Sequence, residues 1–137
     1  MPEDDKESMP DQYKTVSLEE FVEYSKSMFA YWTEDDFASS FRKMLTIEQF
    51  RSEEMQGLYQ QYLSSGPAAY VKDLFESMGI AHAEENAVRF YATMYFYYSV
   101  YDGADDKEKV KKEFASTIGS MAQEWIKQPK LTQIRKS

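Results

Sequence analysis

The chain has 137 residues, a formal charge of −8, no cysteine, and a surplus of rings and soft side chains: two tryptophans, eleven tyrosines, nine phenylalanines and eight methionines. The length is that of one domain, on the usual range of about 100–200 residues. A strongly acidic chain repels phosphate backbones, so nucleic-acid binding by these residues alone is not expected. Without cysteine there is no disulfide framework, thiolate nucleophile or cysteine metal site.

Residues 1–16 carry five acids, two lysines and two prolines. They read as a flexible acidic lead-in. The first ten have no cationic start and no apolar run, so they are not a signal peptide, and the expected compartment is the cytoplasm. From Ser17 onward the pattern is a succession of capped helices. No strand alternation and no hairpin signal interrupts it, which predicts an all-α fold of about six helices.

The first helix is expected to start at Ser17, with Glu20 completing a capping box. Leu18, Phe21, Val22, Met28, Phe29 and Trp32 share one of its faces. Thr33 and Asp36 repeat the cap pattern and open a second helix, with Phe37, Phe41, Met44 and Leu45 as its inward stripe. A third runs from about Ser52 to Leu63, with Met55, Leu58, Tyr59, Tyr62 and Leu63 on its apolar face. Pro67 suits the first residue of a fourth helix, and Gly79 its C-terminal cap. Tyr70, Val71, Leu74, Phe75 and Met78 form the stripe between them.

The fifth helix, about Ala83–Tyr101, holds the densest run in the chain, AVRFYATMYFYYSVY at 87–101. It is too short for a membrane span, which needs about 20 apolar residues. At 100° per residue one broad face carries Ala87, Phe90, Tyr91, Met94, Tyr95, Tyr97, Tyr98 and Tyr101. The opposite face carries Ala92, Phe96, Ser99 and Val100. The sixth helix runs from near Asp105 to near Lys127. It divides likewise into a bulky stripe (Val110, Phe114, Ile118, Met121, Trp125) and a smaller seam (Ala115, Gly119, Ala122, Ile126). Small residues let helices approach closely. Two consecutive helices with two buried faces each predict a symmetric pairing of subunits through an intermolecular four-helix bundle. The alternative is a monomer whose first four helices cover everything. The tail at 128–137 reads as frayed and mildly basic.

Little in the sequence points to catalysis. His82, the single histidine, stands beside Glu84 and Glu85 at a helix start, where a solvated loop residue is the simpler reading than a metal ligand. The acidic pairs all fall at predicted helix starts, where they complement the helix dipole. No phosphate loop, nucleophile elbow or zinc-protease motif is present. No enzyme activity, metal or cofactor is therefore expected. The rings and methionines read either as plain core or as the walls of an interhelical pocket. For the pocket the candidates are Phe29, Trp32, Phe41, Met44, Tyr59, Tyr62, Tyr91, Met94 and Tyr95. Its ligand would be a small hydrophobic compound, or a cation supported by the rings.

The stretch FRKMLTIEQFRSEEMQGLYQQYLSSGPAAYVKDLFESM at 41–78, followed by an apolar helix and a long terminal helix, resembles the C-terminal regulatory domain of TetR-family transcriptional regulators. The likeness spans about residues 17–127. It implies a small effector held within the helices and a homodimer formed by the last two, alongside Ala92, Phe96, Ser99, Ala115, Gly119, Ala122 and Ile126. The family's DNA-binding unit has no counterpart here, because the sixteen residues before Ser17 are too few and too polar to fold into one. The chain is thus expected to be either the regulatory part of a longer protein or a short relative, with DNA binding not carried over. A dimerisation module with a filled core is the alternative.

Overall fold

The computed structural model describes residues 17–127; the segments 1–16 and 128–137, expected to be flexible, lie outside them. The described residues form six helices and no strand: α1 (Leu18–Glu34), α2 (Asp36–Glu48), α3 (Glu53–Leu63), α4 (Ser65–Ser77), α5 (Ala83–Gly103) and α6 (Lys107–Lys127). The all-α class expected from the sequence is the one observed.

Local chemistry sets most of the boundaries. Ser17 and Glu20 form the reciprocal capping box, the serine hydroxyl accepting from the Glu20 amide and the glutamate accepting from the Ser17 amide. Asp35, not Thr33 or Asp36, caps α2 by accepting from the Ala38 amide at 2.9 Å. Thr33 instead lies within the last turn of α1, where its buried hydroxyl donates to the Phe29 carbonyl. Ser52 caps α3. Helix α4 begins at Ser65, two residues before Pro67, so the proline is its third residue rather than its first. Gly79 ends α4 with φ at 76°. Its amide donates to Glu76 and that of Ile80 to Phe75, the paired bonds of a Schellman motif.

Helix α5 is the centre of the bundle, flanked by α4, α6 and α1. Its predicted broad face turns inward at Ala87, Phe90, Tyr91, Met94, Tyr98 and Tyr101. Two knots of rings hold the main core. At one end Phe21, Phe75, Phe90 and Trp125 meet with centroids 4.7–6.2 Å apart. At the other, Phe29 stacks on Phe114 at 4.2 Å and on Tyr98 at 5.7 Å. A smaller core of Leu45, Tyr59 and Leu63 sits between α2 and α3, and Trp32 packs against both cores.

Helix α2 departs from its expected orientation. Its buried residues are Ala38, Arg42 and Leu45. Phe37 and Ile47 are each 74% exposed, Met44 faces outward, and Phe41 is half-buried. The physical reason lies in Arg42, only 6% exposed. Its Nε donates to the Trp32 carbonyl at 3.0 Å and its Nη2 to the Asp102 carboxylate at 2.8 Å. Neither α1 nor α5 carries a cation in its last turn. The carbonyls ending those helices need donors. Arg42 supplies one to α1 from outside that helix. Lys107 supplies α5, donating to the Tyr101 and Ala104 carbonyls at 2.8 and 3.1 Å.

Candidate functional site

Between α1, α3, α4 and α5 lies a cleft of about 270 Å³. Tyr24, Met28 and Trp32 rise from α1 at four-residue spacing, one face of a helix. Opposite them stand Phe90, Tyr91, Met94 and Tyr98 of α5. Gln61 and Tyr62 of α3 and Pro67, Tyr70 and Val71 of α4 close the side. The α3–α4 turn is held to α5 by the Tyr91 hydroxyl, which donates to the Leu63 carbonyl. Burial pushes the phenols of both Tyr91 and Tyr98 well above the ordinary tyrosine range, with the positive charge of Arg42 opposing this only in part. Both residues line the cleft with their phenols protonated.

Four of the expected pocket residues come together here: Trp32, Tyr62, Tyr91 and Met94. The others do not. Phe29 is locked in the core ring stack, 2% exposed. Phe41 meets the outer side of Tyr62 at 5.4 Å and stacks on Phe37. Met44 points to solvent, against its expected inward direction, because α2 is turned by Arg42. Tyr59 and Tyr95 share a hydroxyl–hydroxyl hydrogen bond and line a different groove. Burial, reinforced by Tyr95, pushes the Tyr59 phenol up to about 12. Sequence reasoning passed over Tyr24, Met28, Tyr70, Phe90 and Tyr98 as pocket residues, yet Tyr24 and Tyr98 were within reach. Tyr24 stands one turn before Met28, and Tyr98 one turn after Met94.

Among the described residues no charged side chain lines the cleft. The expectation of a cationic ligand thus finds no carboxylate there to pair with it.

The residues expected at the subunit seam divide between two further grooves. Ala92, Phe96 and Ser99 lie with Val88 and Tyr95 along an exposed strip of α5, beside Tyr59, Leu63 and Ala68. Gly119, Ala122 and Ile126 of α6 border a second groove, whose other bank is Leu18, Glu19, Val22 and Glu23 of α1. Ala122 is itself buried in the chain's own core, and Ala115 is half-buried. The grooves have no helix in common, so the two halves of the predicted seam open beside different neighbours.

His82 precedes α5 with a left-handed backbone and an exposed side chain. Among the described residues no group of three or more histidines or carboxylates is gathered to hold a metal, and no helix is long and apolar enough to cross a membrane.

No family model, curated protein or solved structure matches the chain.

Proposed function

We propose that this chain is a TetR-like regulatory domain, a cytoplasmic module that senses a small molecule and pairs with a second copy of itself. DNA reading and catalysis are not assigned to its described helices. The observation that carries the reading is the cleft between α1, α3, α4 and α5. It is apolar, walled by tyrosine and methionine, and built from four helices at once. Interhelical sites of this kind suit small ligands. The order of elements and the 41–78 stretch add the resemblance.

A thermal-shift panel of apolar compounds tests the sensing role. A ligand at 100 times its dissociation constant adds about 2.7 kcal/mol of stability. A panel that leaves the melting temperature unmoved contradicts the reading.

Pairing is assigned to the exposed strip of α5, where Phe96 is 62% exposed and Ala92 offers a small centre for close helix contact. The Ala92→Glu variant is expected to sediment as a folded monomer at concentrations where the parent chain sediments as a dimer. A dimer that survives this substitution unchanged places the interface elsewhere.

A second reading has its own support in α2. Phe37 and Ile47 of that helix, and Phe50 just beyond its end, hold large apolar side chains mostly in solvent. Such surfaces mark protein contacts. In that reading the chain is an interaction module that binds no small molecule, and the same compound panel separates the two.

A further inference from the structure

The walls of the cleft restrict the chemistry of what it can hold. Among the described residues every polar side chain lining it is neutral: the tyrosine hydroxyls, the indole of Trp32 and the amide of Gln61. A charge placed among them without a partner loses its hydration and gains little in return. Arg42 is not among the lining residues but packs on one of them. Its guanidinium carbon lies 4.9 Å from the centroid of the Tyr98 ring. That ring also stacks on Phe29. One cation, itself paired with Asp102, thus already lies over the Tyr98 ring.

The chain's charge of −8 attracts cations at long range. That field is screened within about 8–10 Å at ordinary salt, and Arg42 is itself neutralised by its pairing with Asp102. With no carboxylate among the described lining residues, a cation in the cleft is left without a partner. An anion fares no better. The Nε and Nη2 of Arg42 are committed to Trp32 and Asp102, and Tyr98 covers the guanidinium.

Size narrows the class further. An apolar cavity of about 150 Å³ takes one benzene. The cleft, at about 270 Å³ and open to solvent on one side, has room for at least two fused rings. Gln61 and Tyr62 are exposed and stand at its mouth. Resting on the sensing role proposed above, we infer that the ligand is an uncharged fused-ring aromatic with one hydrogen-bonding group directed toward Gln61.

Three probes with one skeleton test this: 2-naphthol, naphthalene-2-sulfonate and 2-naphthyl-trimethylammonium. Each is titrated calorimetrically into the full chain and into two variants. Met28→Trp fills the cleft, and Gln61→Ala removes an exposed amide with little consequence for folding. The expected result is 2-naphthol binding at least about tenfold tighter than either charged analogue, as unpaired burial of charge requires. Met28→Trp abolishes that binding, and Gln61→Ala weakens it about three- to tenfold, the worth of one hydrogen bond. A charged probe that binds as tightly as 2-naphthol, and is lost in Met28→Trp, overturns the neutral class but leaves a ligand cleft. Unchanged 2-naphthol affinity in Gln61→Ala overturns the assigned orientation. Failure of all three probes to bind the parent chain or raise its melting temperature overturns both this inference and the sensing role beneath it.

Discussion

Replacing Phe29 by alanine is expected to lower the unfolding free energy by about 3–5 kcal/mol, the range for a fully packed aromatic ring cut back to a methyl group. Urea denaturation measures it. The magnitude follows from the surroundings. Phe29 is 2% exposed and touches three rings, stacked on Phe114 and Tyr98 and edge-on to Tyr101. These lie on α5 and α6, so one ring ties α1 to both long helices. Helices of this length gain most of their stability from such packing rather than from propensity. A loss below about 1 kcal/mol would mean that the site collapses freely or was never close-packed.

The second large effect is expected at Asp102. The Asp102→Ala variant leaves Arg42 buried with the Trp32 carbonyl as its remaining hydrogen-bond partner. Breaking a buried ion pair from one side costs about 3–5 kcal/mol. The Asp102 side chain is 28% exposed, and water reaches part of the pair. The expected loss is therefore about 2–4 kcal/mol. The opposite truncation is expected to be milder. In Arg42→Met the carboxylate left behind can be hydrated, and the methionine stem still packs on Tyr98. A chemical denaturation curve for each variant checks the asymmetry. Equal losses would show that the arginine is no more buried than its partner.

How much of this was legible in the sequence varied with the kind of signal. Ser17 with Glu20, Ser52, and Gly79 gave local cap chemistry that depends on a few neighbouring residues, and the helix ends fall there. The face of α2 was not legible. Phe37, Phe41 and Met44 have the helical spacing of a core stripe, and hydrophobicity alone turns them inward. What turns them outward is a charge pair between residues 60 apart, Arg42 and Asp102. The lack of a cation at the end of α1 is local, but no local pattern shows that Arg42 will supply one.

The cleft was partly legible for a related reason. Trp32, Tyr91 and Met94 sit on inward faces that periodicity identifies. Tyr59 and Tyr95 are equally aromatic, but they fall on the other side of the α3–α5 contact and bond each other. Which of two neighbouring grooves a tyrosine enters depends on how the α3–α4 turn docks. The Tyr91 bond to Leu63 that fixes this turn spans 28 residues. The small seam of α6 was misleading in the same sense. Ala122 packs inside the chain, so spacing of small residues alone does not say whether the close neighbour is another helix of the same chain or a second copy.

The central claim is that a small molecule enters the cleft between α1, α3, α4 and α5. Methionine methyl resonances test it most directly, because Met28 and Met94 line the cleft while Met44 faces solvent and Met121 lies on α6. Titration with 2-naphthol, followed in a spectrum of ¹³C-methyl-labelled methionines, is predicted to shift Met28 and Met94 together and to leave Met44 and Met121 in place. Shifts confined to Met44 or Met121, or a spectrum unchanged at saturating probe, would contradict it.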